Sequence, residues 1–406
     1  MNEPLPRICY VGPAIGPSVG GPAILFKLLH GYPADRLLAV QTRMGMRMAE
    51  EGASGSQVVW VPWPPGSAGP RLHTLYNLTF LFGRSIWASW IRRKVRGFKF
   101  DAVVSVVHGW LCEPALQVAQ RHGVPFHAIL HDHADAALAA PRRMGEYRLK
   151  RWRQLCERSA SRLCVSPFMA EEVERLTRCR CEVLYPGLSP AASLSAWHPP
   201  EITSTRGELV FSFAGLIHSG FRSLMLRFGK VLSACGHRLV LHSPQAPHLL
   251  AGSPPEALTD GGWIPTAAVA ETLRQEADAL FLPVSFEPND ESNTRVLFPS
   301  KLVEYCAAGR PILIWGPPYS SAVRWAKQHP GFAEVVESNE EEDVRLAVQR
   351  LAASCLQRQE MGMRSLHLAR EYFSHPKTFG KFLEILRRGH SRPPMRHSAG
   401  VLSDAL

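Results

Sequence analysis

The chain has 406 residues, enough for two or three domains. Its 46% hydrophobic content supplies a sizeable core, and its 20% charged content excludes a disordered chain. The net charge of +11 is uneven: residues 1–187 hold 24 Lys and Arg against 14 Asp and Glu, whereas residues 188–406 hold 22 against 21. A basic first half and a neutral second half imply two domains with different partners. The nine cysteines are odd in number and include no Cys-x-x-Cys pair, which argues against a disulfide framework or a zinc ribbon. They read as small buried hydrophobes in a reducing compartment.

In chain order, short apolar runs alternate with helix-length segments. Strands are predicted over 8–11, 37–41, 58–61, 101–107, 125–130 and 162–165. The first is followed by a loop with Gly12, Gly16, Gly20 and Gly21, then a helix over about 22–30. Another helix ends at 117–122. Ser166 is a predicted N-cap for a helix running through 171–176. Continuous apolar strands separated by helices imply a parallel sheet covered on both faces. A strand over 182–187 ends in Pro-Gly, and the Ser/Pro/Ala-rich stretch 189–207 is the predicted domain boundary. The pattern restarts with a strand over 209–214, a loop over 215–220 and a helix over about 221–234. Strands follow over 238–242, 279–283 and 311–315. An acidic cluster at 340–343 opens a surface helix at its favourable end. Residues 389–406 read as a disordered tail. No signal peptide and no apolar stretch of 18 residues is visible, so a cytoplasmic protein is expected, free or at the inner face of the membrane.

The most informative segment is 298–311, FPSKLVEYCAAGRP. Pro299 and Ser300 start a helix with Ser300 as predicted N-cap, and Gly309 ends it. A helix N-terminus offers N–H groups and a positive dipole end, a ready site for a diphosphate. Lys301 in the first turn is a cation at the unfavourable end, which a bound anion would compensate. Glu304, one turn further in, can reach the diol of a ribose.

Between Arg71 and Lys99 there are seven cations and no acid. Ile86, Trp87, Trp90, Ile91, Val95 and Phe98 recur there at helical spacing, with Arg92, Arg93 and Arg96 on another face. Two readings stay open: a helix lying on an anionic membrane surface through residues 84–99, or a helix packed on its own sheet with a solvated basic face. Basic surface also suits nucleic acid, but no recognition motif supports it, and no nucleic-acid partner is expected.

The phrase FPSKLVEYCAAGRPILIWG resembles the donor-binding helix of the retaining family-4 glycosyltransferases of GT-B fold. The Gly20-Gly21 loop resembles that family's Gly-Gly turn, and FAGLIHSG the start of its second domain. Gly262-Trp263-Ile264-Pro265 is similar to its base-binding loop, and 370–374 with 379–386 to its closing helices. The resemblance implies an α/β architecture of two Rossmann-like α/β/α domains facing across a cleft. The expected divisions are an acceptor-side domain over 1–187, a nucleotide-sugar domain over 188–372 and a crossing helix over 373–388. The implied activity is retaining, metal-independent glycosyl transfer from a nucleotide-diphosphate sugar to a saccharide or lipid-linked acceptor, in cell-envelope or exported polysaccharide synthesis. No cofactor is implied.

By resemblance, Gly20, Gly21, Gly215, Trp263, Ser300, Lys301, Leu302 and Glu304 contact the donor. His131, after the strand over 125–130, faces the donor sugar from the acceptor side, and His108 is an acceptor-side candidate. Two departures stand out. The seven-residue spacing between paired glutamates fails, so Glu287 of Pro-Val-Ser-Phe-Glu is the candidate sugar contact, with Glu291 a substitute. The expected Arg and Lys after Gly215 are absent, leaving Arg222 as the nearest cation. His131-Asp132-His133 is also metal-ligand chemistry, but no third ligand at a known spacing is visible, and no metal is expected. A sugar-nucleotide epimerase and a non-catalytic partner subunit of the same fold remain the rival readings.

Overall fold

The computed structural model describes residues 4–16, 21–42, 57–62, 70–109, 111–134, 145–192, 194, 207–252 and 254–390; of these, 21, 22, 70–81, 219 and 390 are described by backbone alone. The first sheet contains β1 (Ile8–Pro13), β2 (Leu37–Thr42), β3 (Gln57–Trp60), β4 (Ala102–Val106), β5 (Phe126–Leu130), β6 (Ser161–Cys164) and β7 (Glu182–Val183). Its strands are parallel in the order β3-β2-β1-β4-β5-β6-β7. The second contains β8 (Val210–Ala214), β9 (Arg238–His242), β10 (Leu258–Asp260), β11 (Ala279–Pro283), β12 (Ile312–Trp315) and β13 (Ala333–Val336). It is also parallel, in the order β10-β9-β8-β11-β12-β13. Apolar strands such as AVVSV (β4) and ALFLP (β11) are buried along their whole length, as covering by helices on both faces requires.

In each sheet the order reverses beside its first strand: between β1 and β4, and between β8 and β11. Such switch points open a crevice at the strands' carboxyl ends. Here the two crevices face each other. The last helix, His375–His390, returns to the first sheet, where Phe382, Ile385 and Leu386 share a core with Ile8, Tyr10 and Leu163. Gly389 and His390 therefore close this helix, and the rest of the expected tail lies outside the described residues, as does most of 189–207. Behind the crevice the domains are stitched together: Ser166 Oγ donates to the Val296 carbonyl at 2.6 Å, and the His133 N–H to Asn293 Oδ1 at 2.9 Å.

Ser166 caps its helix as predicted, accepting from the Met169 N–H at 2.9 Å. The cap at the key helix differs from expectation. Ser300 is the first residue of the Ser300–Ala308 helix, Pro299 occupies the cap position, and no side chain caps the first turn. Gly309 ends the helix in the left-handed conformation, φ +67°.

The basic segment is the end of Pro70–Lys94, two helical stretches joined by a kink at Gly83. Trp87 and Trp90 are half-buried and pack against the first-domain core, while Ile91 and Val95 are buried in it. Arg92, Arg93, Lys94, Arg96 and Lys99 are exposed. Phe82 and Ile86, one turn apart, are 70% and 75% exposed. The helix thus packs on its own domain through its tryptophans and presents an apolar pair and a cationic end to solvent. No helix among the described residues is long and apolar enough to cross a membrane.

Candidate active site in the interdomain cleft

Two cavities meet between the domains. The first, about 170 Å³, runs from Trp263, Ile264 and His242 past Glu304 and Lys27 to Gly215 and Lys301. The second, about 460 Å³, holds His108, His131, Asp132, Ser285, Asp290 and Asn293. Ile24, His218, Ser300 and Lys301 line both, so the two form one continuous cleft with these residues at the waist.

At the waist the uncapped Ser300–Ala308 helix points its N-terminus into the cleft. Lys301 lies under Gly215, its ammonium 5.2 Å and 5.4 Å from the ring centres of Phe213 and Phe221. Among the described residues it has no carboxylate partner. Burial pushes its pKa down to about 8. Gly215 has φ +127°, which demands glycine, and a Cβ there would lie 2.5 Å from Lys301 Cε and push that side chain aside. His218 sits beside it; burial, then the Lys301 charge, lowers its pKa and keeps the ring neutral at pH 7. A charged ammonium held out of water without a counterion costs free energy that an anionic ligand would recover.

Glu304 lies in the first cavity, where it forms an ion pair with Lys27 of the first-domain helix Gly21–Leu28. At the other end, Asp132 collects two histidines. His108 Nδ1 lies 2.6 Å and His131 Nε2 3.1 Å from the same Asp132 oxygen. Burial opposes ionisation of Asp132, but the hydrogen bonds from His108 and His131 outweigh it and hold the carboxyl well below the usual carboxylate range. The Asp132 hydrogen bond raises the His108 pKa against the pull of burial. The third partner that sequence spacing did not reveal is therefore His108, brought in from the end of β4. Each of the three side chains offers a ligand atom within 4.8 Å of the others.

Residues 45–192 match the family model described as Glycosyltransferase Family 4. Among solved structures, Anabaena HepE in complex with UDP superposes with a TM-score of 0.65 at 14% identity, covering 94% of this chain and 100% of that one. Sucrose-phosphate synthase from Thermosynechococcus elongatus gives 0.65 at 12% identity, with 94% and 98% covered. A glycosyltransferase from Rickettsia africae gives 0.66 at 13%, with 94% and 98% covered. The fold is that of the GT-B glycosyltransferases. At these identities the likeness to the solved structures is one of fold; with the family model it supports a glycosyltransferase. No curated protein matches the sequence.

The GT-B cleft gathers most of the residues singled out in the sequence. Gly215, Trp263, Ser300, Lys301 and Glu304 line the first cavity; His108 and His131 line the second. Gly21 opens the helix that carries Lys27, and Gly20 lies outside the described residues.

Three expectations need correction. Leu302 lines neither cavity: its side chain is fully buried in the second-domain core and its N–H is taken by the Pro299 carbonyl at 3.0 Å. Arg222 is exposed and reaches the His248 carbonyl at 3.4 Å. The helix Ser219–Cys235 turns Gly220 and Phe221, not Arg222, to the cleft. Glu287 is exposed and lines neither cavity. The carboxylate that enters is Asp290, at the end of the short 3-10 turn Pro288–Asp290. A Cβ on Gly220 would lie 2.8 Å from Asp290 Oδ2 and 2.7 Å from Ser285 Oγ. The substitute, Glu291, pairs with Arg295 on the surface. Lys27, His218, His242 and Asp290 are cleft residues that sequence reading missed.

Proposed function

We propose that the protein transfers a glycosyl group from a nucleotide-diphosphate sugar to a saccharide or lipid-linked acceptor, with retention at the anomeric carbon and without a metal ion. The observation that carries this reading is Lys301: a buried ammonium with no carboxylate partner among the described residues, at an uncapped helix N-terminus, at the waist of a two-domain cleft. The diphosphate sits at the waist, the nucleoside on the Trp263 side and the sugar on the His131 side. As the sugar–phosphate bond breaks, charge grows on the diphosphate. Lys301 and the helix N-terminus are already oriented toward that charge, the preorganised electrostatics that dominates many enzymes. With Lys301 in this role no metal ion is needed at the diphosphate, and the His108–His131–Asp132 cluster lies at the sugar end, away from it.

Glu304 takes the ribose hydroxyls in exchange for Lys27. Asp290, rather than Glu287, receives sugar hydroxyls, and His131, steadied by Asp132, faces the sugar from the first domain. The acceptor oxygen attacks the anomeric carbon on the face the diphosphate leaves, and its proton passes to the departing phosphate oxygen. Room in the 460 Å³ cavity beyond the sugar favours transfer to an acceptor over epimerisation of the donor alone. The basic first domain and the exposed Phe82, Ile86 and cationic helix end support an anionic acceptor carried at the cytoplasmic membrane surface, in envelope or exported polysaccharide synthesis.

A thermal-shift screen with UDP, GDP, dTDP and CMP, followed by release of nucleotide from the matching sugar nucleotide in the presence of EDTA, tests the reading. Stabilisation by at least one nucleotide and EDTA-resistant turnover are expected; no stabilisation by any of them would defeat it.

A further inference from the structure

The loop after β8 lacks the Arg and Lys expected there: Leu216 and Phe221 stand at about those positions, and Arg222 turns away to the His248 carbonyl. The one nitrogen-bearing side chain that residues 215–222 bring into the cleft is His218. It takes the cap position of the helix Ser219–Cys235, but its side chain makes no cap hydrogen bond. Its carbonyl accepts the Phe221 N–H at 2.9 Å, and its ring meets the Phe221 ring edge-on, with centres 5.6 Å apart. Both contacts hold the residue in place, and neither is a hydrogen bond from the ring. His218 is exposed and lines both cavities at the waist. Two charges act on it: the Lys301 ammonium, which lowers its pKa further after burial, and the Asp290 carboxylate, which opposes them. Lys301 is the group assigned to the diphosphate, and Asp290 the group assigned to the sugar. A residue within reach of both stands beside the bond that joins sugar to phosphate.

We propose that the His218 ring donates a hydrogen bond to the phosphate oxygen that leaves the sugar, and so supplies part of what the absent Arg and Lys would do. This rests on the donor-site reading above and adds a catalytic residue to it. When the bond between the anomeric carbon and that oxygen breaks, the electron pair stays on the oxygen. The acceptor oxygen bonds to the carbon, and its proton passes to the phosphate, as above. His218 transfers no proton in this step; it holds an N–H toward the growing charge. An imidazole keeps at least one N–H in either protonation state, so the role does not depend on its charge. The contribution is small in the bound sugar nucleotide, where the oxygen is tied to carbon and carries no full charge. It is large in the transition state and in the free diphosphate, where that oxygen is charged.

Calorimetric titration of a nucleoside diphosphate and its sugar nucleotide (UDP with UDP-glucose, GDP with GDP-mannose, dTDP with dTDP-glucose) tests this in the wild type, His218→Ala, His218→Asn and His218→Gln. Thermal unfolding checks that each variant folds. His218→Ala is expected to weaken the diphosphate by at least about tenfold and the sugar nucleotide by no more than about threefold. Release of nucleotide to water should slow by about a hundredfold in the same variant. Asn and Gln keep an N–H donor at shorter and longer reach, and at least one of them should recover most of the lost diphosphate affinity. Equal losses for diphosphate and sugar nucleotide overturn the proposal, because they mark His218 as a residue that only shapes the cleft. No loss for either ligand overturns it too, as does failure of both Asn and Gln to recover affinity. The two affinities decide the matter whether or not release to water is fast enough to follow. If the wild type binds none of the six ligands, the donor-site reading itself fails and takes this inference with it. If it binds them and both affinities change alike in His218→Ala, only the His218 role falls.

Discussion

The Lys27 ammonium and the Glu304 carboxylate, 277 residues apart in sequence, form an ion pair across the cleft. Their side chains are 12% and 14% exposed, so each is largely withdrawn from water and depends on the other. Lys27→Met alone leaves a buried carboxylate without its cation and should cost about 3 kcal/mol, while Lys27→Met with Glu304→Leu should recover most of it. Thermal unfolding without nucleotide reads both. Equal stability of Lys27→Met and wild type would contradict the pairing. On the proposed ribose role of Glu304, Glu304→Ala should also weaken nucleotide binding at least tenfold.

Lys301 gives a pH signature. Burial holds its pKa at about 8, so in the empty protein it begins to lose its proton as pH rises through that value. A diphosphate favours the protonated form and must recover that proton on binding. Affinity should be level below about pH 8 and then fall by up to about tenfold per pH unit. Titration at pH 7.0 and 9.5 measures it. Lys301→Met should bind weakly at both values and show no such slope.

In the second cavity, the Asp132 hydrogen bond raises the His108 pKa above its ordinary 6.5. For a histidine raised on folding, the stabilisation is full below the unfolded value and fades as pH rises through the folded one. Stability from the His108–Asp132 pair should therefore decline on going from pH 6 upward. Asp132→Asn removes the raising partner and leaves burial, so the His108 midpoint should drop to 6.5 or below. Imidazole NMR titration reports the midpoint directly, and an unmoved value would exclude the pairing.

Gly215→Ala places a Cβ against Lys301 at a backbone angle that L-residues rarely adopt. A cost of about 1–3 kcal/mol is expected, together with loss of nucleotide binding as Lys301 is displaced. Gly236→Ala provides a control: it also has positive φ, but a Cβ there meets nothing within 4 Å. It should cost stability without affecting the nucleotide.

How much of this was legible follows from how local each signal is. The Ser300–Ala308 helix, its Gly309 stop and its Lys301 are written in one contiguous segment, and so were readable. Arg222 failed on helical phase: the helix starts at Ser219, which turns the side chain toward His248. Glu287 failed because the 3-10 turn Pro288–Asp290 and the short helix Glu291–Val296 follow it, and they bring Asp290 to the rim of the second cavity instead. Lys27, His108 and His242 reach their partners only through sheet order. Their partners Glu304, Asp132 and Gly261 are 277, 24 and 19 residues distant, and no spacing rule connects them. The paired tryptophans of the basic helix were visible as a helical stripe, but which way the stripe faced depended on the sheet beneath it.

The central claim is that the Ser300–Lys301 helix start holds the diphosphate of a sugar nucleotide. The most direct measurement is a crystal structure of the protein soaked with the nucleotide that stabilises it best. The account predicts phosphate oxygens within hydrogen-bond distance of Lys301 Nζ and the backbone at Ser300, with the ribose on Glu304 and Lys27 released. A diphosphate bound elsewhere, with the Lys27–Glu304 pair intact, would contradict it.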